Sequence, residues 1–272
     1  MLIYILIFIF GSSIGSFINA LVYRLRKNMP IARGARSICP HCFVQLKWYE
    51  NIPILSFIFL AGKCRSCQRK ISWQYPLVET VTAVLFVISF SLAMKQWSNE
   101  ATVSLFHCFT VVVFYWTTIY FLIVIFLYDL KYYLIPDKIS IPAIGTVLFF
   151  QLIISFINNN YQLPITNYQL LVFSAIIGGG WFALQFFISR GKWVGGGDIR
   201  LGILMGLIVS WPQILTALFL SYVGGAVFAI PLLILKKKTL KSEIPFGVFL
   251  VPATIITMFW GERIISWYFS LF

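Results

Sequence analysis

The stretch ATVSLFHCFTVVVFYWTTIYFLIVIFLY, residues 101–128, contains no Asp, Glu, Lys or Arg and runs directly into Asp129. At 1.5 Å of rise per residue, a helix over it is longer than the roughly 30 Å of hydrocarbon in a bilayer, and it is apolar on every face. The rest of the chain shares this character. Of its 272 residues, 60% are hydrophobic and 11% are charged, with a mean hydropathy of +0.90. A soluble domain carries about a quarter charged residues, so a soluble globular protein is excluded. The net charge of +13 is strong for so few charges. With this much aromatic and aliphatic surface it fits anionic lipid on one side, and no surface is left to follow a nucleic acid.

Working outward from 101–128, seven further apolar segments stand at 1–23, 76–94, 141–157, 169–189, 201–211, 214–235 and 244–260. The segment at 201–211 is too short to span alone, and Pro212 separates it from the next. The sequence therefore predicts an all-α, polytopic membrane protein of about eight transmembrane helices. Segment 1–23 has no basic residue before it, no small-residue cleavage pattern and a cluster of Arg after it, so it reads as a retained anchor. With the N-terminus outside, the inward segments hold ten basic residues between Arg24 and Lys70, Lys131 and Lys138, the trio Arg190, Lys192 and Arg200, and four at 236–241. Only Lys95 and Arg263 are left outside. This asymmetry orients the chain, which is most of what the basic loops do.

The one long polar segment, 24–75, holds Cys39-Pro40-His41-Cys42 and Cys64-Arg65-Ser66-Cys67. Each Cys-x-x-Cys knuckle offers two sulfurs from one tight turn, so Cys39, Cys42, Cys64 and Cys67 suit tetrahedral zinc. Disulfide or redox use, and unligated thiols, are the alternatives. A segment this small has too little core to fold without a staple. His41 is a competing ligand in sequence, but four thiolates already fill the shell. His107 and Cys108 lie within an apolar run and read as packing residues.

Acidic residues are scarce: Glu50, Glu79, Glu100, Asp129, Asp137, Asp198, Glu243 and Glu262. The three aspartates fall where predicted helices meet the inward face, beside helix breakers: Ile135-Pro136-Asp137 and Gly195-Gly196-Gly197-Asp198. Carboxylates near hydrocarbon are costly and mark functional sites. Two that converge cannot both ionise readily; one keeps a proton while the other deprotonates water, as in aspartic proteases. If the short sixth segment does not span, its start lies below the headgroups and brings Asp198 into the membrane. The competing reading has each aspartate only capping a helix or pairing with Lys131, Lys138 or Arg200.

The chain resembles the bacterial type IV prepilin peptidases/N-methyltransferases, membrane aspartic proteases of the Gly-x-Gly-Asp type. The resemblance rests on Gly15-Ser16-Phe17-Ile18-Asn19, Tyr23-Arg24-Leu25, the knuckle opened by Arg36-Ser37, Trp48-Tyr49-Glu50-Asn51-Ile52-Pro53, the second knuckle, Ile71-Ser72, Tyr75-Pro76-Leu77-Val78-Glu79, and the motifs around Asp129 and Asp198. It implies that Asp129 and Asp198 are the catalytic pair and that Asp137 is not a member. It also implies that the substrate is a prepilin or pseudopilin whose basic leader is cut after glycine at the cytoplasmic face of the cell membrane. The new N-terminal residue is then methylated from S-adenosylmethionine, a reaction associated with the cysteine-bearing loop. No methyl-donor motif is visible in the residues themselves. Gln74 stands where the family usually has Arg, and Arg200 where Lys is common. The resulting division is a first transmembrane helix at 1–23, a cytoplasmic tetracysteine loop at 24–75, and a transmembrane peptidase domain at 76–272. The alternatives are a presenilin-like intramembrane aspartic protease, which the tetracysteine loop argues against, and a non-enzymatic transporter or membrane scaffold, which would more often place its acids at mid-span.

Overall fold

The computed structural model describes residues 1–29, 37–99, 105–161, 168–235 and 245–271. Arg36, Glu100, Glu243 and the basic run at 236–241 lie outside them. The chain forms two compact units, Met1–Leu92 and Ala93–Phe272. Among the described residues secondary structure is helical, apart from two isolated bridges.

In the first unit, α1 (Leu2–Arg26) lies against α3 (Gln74–Asn99), most of which belongs to this unit. Two glycines one turn apart make the contact. A Cβ on Gly11 would stand 2.8 Å from Ala83 Cα, and one on Gly15 would stand 2.7 Å from Glu79 Cα. Their absence brings the backbones together, which is how helices associate where lipid gives no hydrophobic drive between them. Between these helices the loop carries a short 3-10 turn, Trp48–Asn51, and the five-residue α2, Leu55–Phe59.

The second unit contains α4 (Leu105–Tyr132), α5 (Asp137–Tyr161), α6 (Tyr168–Ser189), α7 (Gly196–Val209), α8 (Gln213–Ile234) and α9 (Gly247–Phe269). Among the described residues seven helices are long and apolar enough to cross a membrane, and α7 is not one of them. Its 14 residues rise only about 21 Å. It packs on α5, α6 and α9, and Leu201, Leu204 and Met205 are fully buried. The seam with α6 is again built of small residues: Gly202 faces the Gly178 carbonyl, and Gly206 faces the Ser174 carbonyl so closely that neither tolerates a Cβ.

A helix that ends inside the protein leaves carbonyls without partners, and at hydrocarbon depth water does not serve them. Gln151, a buried amide on α5, donates to Leu207 O at 3.0 Å and to Ile208 O at 3.5 Å. The Gln213 amide, oriented by its hydrogen bonds, donates to Val209 O at 3.1 Å. Both amides therefore cap the inner end of α7.

The helices run past several expected limits. α4 continues beyond Asp129 to Tyr132, α5 starts at Asp137 rather than 141, and α9 continues through Glu262 and Arg263 to Phe269. Charged residues end an apolar run but leave the backbone ladder intact.

Gly202→Ala should lower stability by about 1–3 kcal/mol through overpacking. Gly180→Ala, on the same pair of helices but with nothing within 4 Å of its new Cβ, should not lower it. Thermal unfolding of the two proteins in detergent checks the difference.

Candidate active site and cysteine cluster

Asp129 lies in the last turn of α4 and is 4% exposed. Asp198 is the third residue of α7, half-buried, and its Oδ2 accepts the Gly195 N–H at 3.0 Å, which caps the helix start. The two carboxylates are near enough to interact electrostatically. The amides of Gly247 and Val248, at the start of α9, face the Asp129 carboxylate, although Oδ2 makes no hydrogen bond of full geometry. Gly247 does not stand out in the sequence, where it is one residue at the edge of an apolar run. In the fold a Cβ there would stand 2.7 Å from Asp129 Oδ2, so only glycine fits beside that buried oxygen without displacing it.

The third aspartate does something else. Asp137, the exposed first residue of α5, pairs with Arg200 across 2.5 Å. Pairing with Arg200, one of the bland roles open to all three aspartates, is thus taken up by Asp137. Arg200 is two residues beyond Asp198 and points away from it, as helical spacing requires. Gly197 packs on Ile135, where a Cβ would come within 2.8 Å of Ile135 Cβ. Ion pair and glycine contact together hold the segment between α4 and α5 against the first turn of α7.

In the first unit the two knuckles fold alike. Phe43 N–H bonds Cys39 O at 3.0 Å and Gln68 N–H bonds Cys64 O at 2.9 Å. Phe43 and Gln68, each four residues after the leading cysteine, both adopt left-handed backbone with φ near +58° and +57°. The four Sγ atoms lie within 4.8 Å of one another, and Cys39 Sγ is 4.0 Å from Cys67 Sγ. A disulfide needs about 2.05 Å, whereas thiolates at about 2.3 Å from a tetrahedral ion sit about 3.8 Å apart. The cluster could therefore hold a metal ion, and all four expected residues contribute. The thiols are not equivalent: hydrogen bonds from the backbone of Cys67 and then Ser66 bring Cys64 down to about 7, whereas Cys42, against the lowering effect of the Val44 backbone, is pushed up to about 11 by burial and its cysteine neighbours. His41 instead contacts Arg69, Nδ1 to Nη1, at 3.3 Å.

Comparison with known proteins gives the same two regions. A family model described as the bacterial peptidase A24 N-terminal domain matches residues 9–93, and one described as the type IV leader peptidase family matches residues 116–230. The chain is 30% identical to a prepilin leader peptidase/N-methyltransferase of Aeromonas salmonicida (strain A449), over 97% of this chain and 93% of that one. It is also 30% identical to one of Bacillus subtilis (strain 168), over 98% of both chains. The chain belongs to the type IV leader peptidase family. No solved structure matches it.

Two residues of this leader peptidase family chain gain roles from the structure that its sequence left open. Glu79, buried in α3, accepts the Ile54 N–H at 2.7 Å and a bond from Ser16, so it satisfies the start of α2. Gln74 donates to Asn19 Oδ1 at 2.9 Å, and Asn19 Nδ2 reaches Tyr75 O at 3.4 Å. Glu79 fastens the polar loop to α3 and α1, and Gln74 fastens the start of α3 to α1; local sequence reveals neither pairing.

Gly247→Ala should reduce peptide-bond hydrolysis by at least about tenfold, the rate equivalent of 1.4 kcal/mol, with the protein still inserted and folded. Asp137→Asn breaks an ion pair that is exposed on the carboxylate side, where such pairs are worth about 0–1 kcal/mol, and should retain most activity. Initial rates on a purified protein substrate compare the two.

Proposed function

We propose that this enzyme removes the basic leader of type IV prepilins or pseudopilins by aspartic-protease chemistry at Asp129 and Asp198, then methylates the new N-terminal amine. The observation that carries the reading is the approach of the buried Asp129, at the end of one helix, to Asp198, in the first turn of another. The N-terminus of α7 and the Gly195 amide stabilise negative charge on Asp198, which fits it for the base. Asp198 takes a proton from water, the resulting hydroxide adds to the scissile carbonyl, and Asp129 supplies the proton that the carbonyl oxygen accepts. Collapse of the tetrahedral adduct breaks the C–N bond and returns a proton to the leaving amine.

The four cysteines support a structural zinc ion: no thiolate is left over, the shell is closed, and the ion staples a loop with little core of its own. S-adenosylmethionine is the methyl donor that the N-methyltransferase name of the relatives calls for, and segment 24–75 is the part of the chain associated with that step. The peptidase work falls to 76–272. The site end of α4, α5, α6, α7 and α9 faces the cytoplasm, because the inward-facing basic residues gather there and a basic leader cannot readily enter the membrane.

Asp129→Asn and Asp198→Asn should each abolish leader removal without altering membrane insertion; substantial cleavage by either variant in a detergent assay with a prepilin contradicts the dyad. Protein prepared under reducing conditions should contain about one zinc per chain by elemental analysis, lose it on acidification as the thiolates protonate, and bind it poorly as Cys64→Ser. A cysteine placed at Arg190 should react with an impermeant reagent only after permeabilisation, and one at Arg263 in intact cells; the opposite pattern reverses the orientation.

A further inference from the structure

One polar cluster outside the catalytic pair faces outward from helices read as membrane-spanning. Tyr222, on α8, receives two donors at its phenolic oxygen: Trp181 Nε1–H at 2.9 Å and Gln185 Nε2–H at 2.7 Å, both from α6. The Gln185 nitrogen also lies 3.4 Å from the Trp181 carbonyl oxygen, which fixes the amide's orientation with its N–H groups inward. A phenol oxygen has one hydrogen to give and room to accept about two. With its acceptor capacity used, Tyr222 is committed as a donor, and donation into its oxygen polarises the O–H further.

The side chains of this cluster are open to the outside of the bundle. Tyr222 is 37% exposed and Trp181 46% exposed. Gln185 stands one turn inside the end of α6, within a helix long and apolar enough to cross a membrane, where an unmet O–H costs more than in water. The cluster also adjoins the active site. The Tyr222 ring packs on Phe246 with centroids 5.1 Å apart, and the next residue, Gly247, lies against Asp129 Oδ2. Val223, Val227 and Phe228 continue the exposed apolar surface along α8.

We infer that Tyr222, held by Trp181 and Gln185, is a specificity-determining residue that donates a hydrogen bond to an acceptor side chain on the apolar helix of the substrate, just beyond the cut. The inference rests on the peptidase reading above and adds to it a polar requirement within an otherwise apolar recognition surface. An acceptor on the substrate helix gains at this point because it has no competing water, whereas a leucine there leaves the O–H unmet.

The test uses the full-length enzyme in detergent and a set of substrates identical except at one position, moved through the first three turns after the cut, which carries either Asn or Leu. For the wild type, kcat/KM should favour Asn over Leu by about fivefold at one position, the value of one hydrogen bond of about 1 kcal/mol. In Tyr222→Phe, which keeps the ring against Phe246, that ratio should fall to about one. Gln185→Leu, which removes one of the donors that orient the phenol, should shrink it and serves as the readout if Tyr222→Phe fails to insert. A ratio unchanged in the variants, or no preference at any position in the wild type, overturns the inference while leaving the peptidase reading intact. An equal fall on both substrates points to a lipid ester as the acceptor and likewise overturns it. Cleavage of neither substrate by the wild type rejects the peptidase reading and this inference with it.

Discussion

The close approach of α6 and α7 across Gly178, Gly202, Gly206 and Ser174 is the contact on which the second unit depends. Between apolar helices in an apolar solvent, burial alone does not select a partner, so the backbone-to-backbone fit that small side chains permit carries the specificity. Here it draws a helix of only 14 residues into the middle of longer ones. Once α7 is enclosed, its first turn comes near the end of α4, where Asp129 lies, and its last turn ends against the buried Gln151 amide. Site geometry and internal capping are two consequences of the same shortness.

Much of this is legible in the sequence because it depends on quantities local to a segment. Run length and missing charge mark out the helices, and the scarcity of acids narrows the search to a handful of carboxylates, among which the family resemblance points to Asp129 and Asp198. The two cysteine knuckles announce their own spacing. The sixth segment is visibly too short to span, although nothing in the sequence shows what satisfies its inner end. The boundaries that differ, at Tyr132, Asp137 and Phe269, differ because a backbone ladder tolerates charges at its ends.

What the sequence hides lies between segments. Gly247 looks like any glycine at the edge of an apolar run until α9 is set against Asp129. Gln151 is a lone amide in a span, Glu79 a lone acid, and Gln74 a neutral side chain at the start of α3. Each acquires meaning only from a partner 25 or more residues away: the α7 carbonyls, the Ile54 amide and Asn19. Arg200 illustrates the point in reverse, since its closeness in sequence to Asp198 suggests a partnership that helical geometry directs to Asp137 instead.

The central claim is that the short helix brings Asp198 to Asp129. Replacing both by cysteine and treating the membrane-embedded protein with a short bifunctional thiol reagent tests it directly, with the linked peptides identified by mass spectrometry. A 129–198 crosslink as the dominant new product, weakened when Gly202→Ala loosens the α6–α7 seam, is the expected result. Efficient modification of both cysteines with no link between them would contradict the account.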